Sequence, residues 1–157
     1  MARNRWQESR VQWVASLPSL IHCSHGSPRV INEFLWESAT PNRLLQRFLR
    51  DEAADVLLCT HTSIKWHRAL LDGKHAVNVG VIGRPENDGS TNVWYTVLTA
   101  GSDLGVEFVP VHYDYEALAR EVEQQGLPAE FAETIRTGWW TTCLENLPSK
   151  ERGRGKF

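Results

Sequence analysis

The sequence predicts an α/β fold with a mixed or mostly antiparallel sheet. Three observations carry that expectation. Two short apolar runs, Leu20 to Cys23 and Val56 to Cys59, stop abruptly in polar loops that each bear a histidine. An Asp72-Gly73 pair splits a stretch of strand-forming residues, a strong hairpin signal. Between and after these runs lie amphipathic stretches with helical spacing.

Taken in order, residues 3–16 predict a helix, with Trp6, Trp13, Val14 and then Leu17 near helical intervals and Pro18 as its stop. Ser19 to Ser24 predicts a short buried strand that ends in His25-Gly26-Ser27-Pro28. Thr40-Pro41 predicts a helix start, Thr40 as cap and Pro41 at the first helical position, with Leu44, Leu45, Phe48 and Leu49 as its buried stripe. Asp55 to Cys59 predicts the best buried strand of the chain and runs into Thr60-His61-Thr62-Ser63. Trp66 to Leu71 and His75 to Asn78 then form the two arms of the hairpin. A glycine-bearing loop follows from Asn78 to Gly89, then strands over Asn92–Thr99 and Val106–Tyr113. Asp114 caps a helix that runs through Gln125 and is ended by Gly126, and Pro128 opens a last helix near residues 128–137. The division expected is a single domain over residues 1–148 and a charged, flexible tail over 149–157.

Composition narrows the function classes. The chain has 157 residues, 41% hydrophobic and 23% charged, with a formal net charge of −2, an ordinary globular balance too apolar for disorder. Near-neutral charge argues against nucleic acid or an anionic membrane as partner. No run approaches the roughly 18 apolar residues of a membrane span, and residues 1–8 carry no apolar signal core. Three cysteines, Cys23, Cys59 and Cys143, have no paired spacing, so neither a disulfide framework nor a CxxC zinc site is indicated and a reducing cytoplasm is the simplest location.

The chemistry-bearing residues sit in the loops. His25-Gly26 and Thr60-His61 each fall where a buried strand ends, and imidazoles on adjacent strand ends can converge on one transition-metal ion. The plain alternative, a histidine that caps a strand or bonds a carbonyl, stands beside it for each. His22 and His67 are weaker candidates, and His75 and His112 read as strand residues without chemistry. No Walker loop is present, and Asn78 to Gly83 does not fit a dinucleotide fingerprint because it does not lead into a helix.

In order, these loops resemble the C-terminal half of calcineurin-like metallophosphoesterases, in particular a small bacterial, phosphodiesterase-like branch. The motifs are Leu17-Pro18 followed by His25-Gly26-Ser27-Pro28, then Ala54-Asp55 and an apolar strand into Thr60-His61-Thr62-Ser63, then Asn78-Val79-Gly80-Val81-Ile82-Gly83, with Tyr113-Asp114 and Gly126-Leu127-Pro128 later; together they span roughly residues 6–138. The resemblance implies part of a β-sandwich flanked by helices, and a divalent metal (Mn, Zn, Fe or Mg) on His25 and His61. Ser63 stands where the family places a histidine for a second metal, and a hydroxyl is a much poorer ligand than imidazole. Gly26, Ser63, Asn78 and Arg84 are the candidates for substrate contact or for support of the ligands. Arg84 suits an anion through its fork geometry, with a surface arginine before a turn proline as the plain alternative.

The family's front motifs, Asp-x-His, Gly-Asp and Gly-Asn-His-Asp, are not found before the His25 loop. The expectation is therefore one weak metal site and hydrolysis of phosphate esters only when an N-terminal half completes the centre. The alternative is a catalytically inactive relative that acts as a binding or interaction module. A mononuclear hydrolase that recruits His22 or His67 is a third reading. Self-association or a complementary N-terminal-half chain is expected to cover the inner sheet face. Trp36, Trp66, Trp94, Trp139 and Trp140 either belong to that face or fill the core.

Overall fold

The computed structural model describes residues 20–101 and 103–153; the helix expected over 3–16 and the Leu17-Pro18 motif lie outside them. Six strands follow in chain order: β1 Ile21–Cys23, β2 Val56–Cys59, β3 Trp66–Ala69, β4 His75–Asn78, β5 Val93–Thr99 and β6 Gly105–Val111. Among the described residues four helices accompany them, the first between β1 and β2 and the others after β6: α1 Asn42–Asp51, α2 Tyr115–Gln124, α3 Ala129–Thr137 and α4 Ser149–Arg152.

The main sheet has the order β1-β2-β4-β3, and β5-β6 form a separate antiparallel ribbon. β1 pairs with β2 in parallel, with Cys23 beside Leu58, and β2 pairs with β4 in parallel, with Cys59 beside Asn78. The β3–β4 hairpin is antiparallel and turns through a 3₁₀ segment, Leu71–Gly73, in which Gly73 takes φ +67°. The sheet is thus mixed, and its parallel part aligns the carboxyl ends of β1, β2 and β4.

Alternation along the strands decides what covers each face. Leu57, Cys59, Trp66 and Ala76 lie in one buried cluster with Leu45, Phe48 and Leu49 of α1. The helix presents this stripe as its sequence predicts. It begins one residue later than expected, however. Pro41, in extended conformation, is the N-cap, its carbonyl accepts from Leu44 N at 3.0 Å, and Thr40 makes no cap bond. Thr40 is instead buried, and its carbonyl accepts from Arg68 Nη1 at 2.6 Å.

Along β5 the burial alternates, with Trp94, Thr96 and Leu98 half-buried and Tyr95, Val97 and Thr99 exposed. The ribbon is tied to the sheet at both ends of β4. Thr96 Oγ1 donates to Val79 O at 2.9 Å, and Asp103 in the β5–β6 turn lies 3.4 Å from His75 Nε2.

Asp114 caps α2 as predicted, its Oδ1 accepting from Ala117 N at 2.8 Å. Gly126 (φ +67°) ends that helix and Gly138 (φ +68°) ends α3. The two helices meet through Ala119, Ala132 and Ile135.

The segment 149–152, expected as the start of a flexible tail, forms the short helix α4. Its Glu151 is 4% exposed and accepts from Ser38 N at 2.9 Å and Ser38 Oγ at 2.5 Å. Among the described residues no helix is long and apolar enough to cross a membrane.

The tryptophans resolve largely into core. Trp36, Trp66 and Trp140 are 7%, 3% and 4% exposed, so of the Trp139-Trp140 pair Trp140 belongs to the core while Trp139 is half-buried. The exposed large apolar side chains nearest the His25 loop are Leu20, Val30, Ile31 and Phe34.

Candidate metal centre

The site is built from three loops at the carboxyl ends of the parallel strands, where open α/β sheets place their ligands. The loop after β1 carries His25, that after β2 carries His61, and that after β4 leads to Arg84. Backbone bonds tie them to one another: Ser24 N donates to Leu58 O and Thr60 N to His25 O, both at 3.0 Å, and Val79 N to Cys59 O at 2.8 Å.

Each loop has a local reason for its shape. A Cβ on Gly26 would lie 2.6 Å from Ile31 O and 2.7 Å from Glu33 N, both backbone atoms that cannot swing away, so only glycine fits behind His25. Ser27 closes the same turn, its Oγ accepting from Val30 N at 3.1 Å and donating to Glu33 at 2.5 Å. Arg29 pairs with that carboxylate and is the chief reason its pKa falls below the usual range.

In the second loop His61 and Ser63 both adopt left-handed backbone, φ +42° and +59°, a conformation that costs non-glycine residues energy and recurs at functional sites. The loop is held there by Asn78. This side chain is fully buried, donates to Thr60 O at 2.6 Å and Thr62 Oγ1 at 2.7 Å, and accepts from Gly80 N at 3.1 Å.

The result is a histidine pair. His61 Nδ1 lies 2.9 Å from His25 Nε2, with the rings edge-to-face at 4.8 Å between centroids. One nitrogen must donate and the other accept, so the pair holds one proton between the two facing nitrogens. Burial first, and the neighbouring His25 second, lower the pKa of His61 and favour its neutral, ligating form. The spacing also suits a cation in place of the shared proton, since two nitrogens 2.9 Å apart can both sit at about 2.1 Å from one ion once both are deprotonated and turned toward it. The residues present therefore fit a two-imidazole half-site. Among the described residues no group of three or more His, Cys, Asp or Glu side chains could hold a metal, so the remaining ligands of a full centre are not in this set.

Beside His61 opens a cleft of about 200 Å³ that also takes in Phe34, Ser63, Arg84, Trp140 and Cys143. Arg84 stacks its guanidinium 3.8 Å from the Trp140 ring centroid. Burial lowers its pKa, but a guanidinium stays charged at any physiological pH. Trp140 is itself fixed, donating from Nε1 to Pro85 O at 2.8 Å and from N to Asn87 at 2.9 Å.

His61, Ser63 and Arg84 thus line one opening, His25 stands against His61, and Gly26 and Asn78 support the two histidine loops. The other two histidines proposed as recruits point elsewhere: His22 pairs with Glu52 at 3.2 Å, and His67 Nε2 faces His75 Nδ1 at 3.0 Å. His75 is a residue of β4, as the sequence predicts, and its ring is the partner of His67 there. Sequence reasoning missed Phe34, whose ring lies 4.5 Å from that of His61 and stacks on Trp36 at 5.2 Å. The signal was the alternation Phe34-Leu35-Trp36, in which Leu35 alone joins the cluster under α1.

Comparison with known proteins places this geometry in a fold class. No protein-family model matches the sequence, and no curated protein matches it. Solved structures do. A hypothetical protein, PH1004 from Pyrococcus horikoshii OT3, superposes with a TM-score of 0.62 at 20% identity over 77% of this chain. A metallophosphoesterase from Sphaerobacter thermophilus superposes with a TM-score of 0.61 at 19% identity over 83% of it. The chain has a metallophosphoesterase-like fold. It spans 47% and 62% of the lengths of these two neighbours.

Proposed function

We propose that this chain is the C-terminal half of a metal-dependent phosphoesterase of the small phosphodiesterase-like branch, active when an N-terminal half supplies the missing carboxylates. The observation that carries the reading is the pair of ring nitrogens of His25 and His61 set 2.9 Å apart at the ends of adjacent parallel strands. A divalent cation bound there would supply Lewis acidity and an acidified water, the two services phosphoester hydrolysis needs. His25 and His61 are its ligands from this chain, Asn78 fixes the loop that presents His61, and Arg84 offers two parallel N–H donors to a phosphate oxygen pair. Two neutral imidazoles bring no negative charge, so the isolated chain holds a cation weakly and turns over little substrate. The complementary half, in the same or a second chain, would meet the β1 edge and the apolar side chains beside it. Free cysteines suit a cytoplasmic setting.

A second reading, an inactive relative kept for binding, is favoured by Ser63, which lines the cleft at the position where the family places an imidazole. A calorimetric titration of the full chain with Mn²⁺ or Zn²⁺, run beside His61→Ala and paired with light scattering, tests the first reading. Uptake of one ion that is lost in the variant supports it. A chain that ignores metal overturns it, and one that takes up metal but stays inactive with a complementary half added favours the second.

A further inference from the structure

A second, larger cavity lies on the far side of Arg84. It measures about 380 Å³ and is lined by Gly83 and Arg84 together with Leu118 and Val122 of α2 and Phe131, Thr134 and Ile135 of α3. Its volume falls in the range of small-molecule sites, and its walls are mostly apolar with few polar groups, the usual make-up of such sites.

Three features mark it as more than a packing gap between helices. Arg84 belongs to both this cavity and the cleft that holds His61, so the two spaces share one cationic wall. Among the described residues no ion pair joins a carboxylate to this guanidinium, which stacks on Trp140. Thr134 is 3% exposed, and its hydroxyl has no hydrogen-bond partner. The carbonyl a helical threonine commonly uses, four residues back at Glu130, already accepts from Thr141 Oγ1 at 3.4 Å. A buried unpaired hydroxyl is destabilising, and a ligand able to hydrogen-bond it would recover that loss. At Gly83 an added Cβ would meet nothing within 4 Å, so the approach beside Arg84 is open.

We infer that this cavity is a binding subsite for the organic group of an anionic ester: Arg84 takes the phosphate at the junction, and a flat apolar group with one polar atom lies between α2 and α3. The substrate class is then aryl or similarly apolar phosphate esters rather than small polar ones. This rests on the phosphoesterase reading for the choice of a phosphate head, but not on bound metal.

The test is calorimetry on the metal-free full chain with two probes, 1-naphthyl phosphate and inorganic phosphate. The naphthyl ester is expected to bind at least about ten-fold more tightly, from the apolar area it buries. Leu118→Trp, which fills the cavity, is expected to erase that difference and leave inorganic phosphate unchanged. Phe131 is 47% exposed at the rim, so Phe131→Ala keeps the fold and is expected to weaken the naphthyl ester selectively. Equal affinity for the two probes overturns the inference, as does the absence of binding by either, or an advantage that survives both substitutions. Failure of metal uptake at His25 and His61 would sink the phosphoesterase reading and leave this result standing.

Discussion

Asn78 donates from Nδ2 to the carbonyl of Thr60 at 2.6 Å, across the parallel β2–β4 pair and directly behind His61. A fully buried amide that serves three separate partners is a clamp: it fixes where the His61 loop leaves the sheet. Replacement by alanine would leave the Thr60 carbonyl, the Thr62 hydroxyl and the Gly80 amide short of a partner. We expect Asn78→Ala to lower unfolding free energy by roughly 3 kcal/mol, read by urea denaturation. It should also weaken metal uptake, although no atom of Asn78 reaches the cleft. Unchanged stability would show that the loop holds itself.

The second histidine pair sets the response to acid. His67 sits against His75, which in turn faces Asp103 from the β5–β6 turn. Burial is the largest cause of the lowered pKa of His67, the charge of His75 the next, and Asp103 opposes both. The unfolded chain therefore binds a proton more readily than the folded one, and stability rises with pH across that window. The full contribution is present above the ordinary histidine pKa of about 6.5 and is lost as pH falls below it toward the lower folded value. The melting temperature should drop between pH 7.5 and pH 5, and His67→Gln should flatten the slope. A slope unaltered by that substitution would place the acid sensitivity elsewhere.

The three thiols should separate cleanly. Burial pushes Cys59 up to about 12, against the opposing pull of Asn78, whereas Cys23 and Cys143 are exposed. Thiolate is the reactive form. Ellman's reagent should therefore titrate two thiols in the native protein and the third only after denaturation. Rapid reaction of all three would contradict the packing of β2 against α1.

The sequence made the punctuation of this fold legible, because the signals are local. Asp114 announces its helix by a side chain that reaches only three residues ahead, and Asp72-Gly73 needs only its own backbone. The parallel pairing of β2 with β1 and β4 was not legible, since partners such as Ile21 and Val56 recognise one another only after intervening chain has folded. At Thr40-Pro41 the cap preference of threonine lost to tertiary demand: the Thr40 carbonyl is taken by Arg68 of β3. The two strand-end histidines could be named from their position alone. That Arg84 stacks on Trp140, 56 residues away in sequence, left no local trace.

The parallel arrangement of β1, β2 and β4 also fixes when the site comes into being. Neither β1–β2 nor β2–β4 is joined by a tight turn. Each pairing requires a long crossover, which encloses α1 in the first case and β3 in the second. Contacts of such sequence separation form late, after the β3–β4 hairpin and the helices that need only neighbours. His25 and His61 meet only once the first crossover has closed. Any cation they hold thus binds finished molecules and not partly folded ones, and by mass action it draws the population toward the native state. The histidine pair is in this respect a latch on assembly, formed only when β1 and β2 have paired.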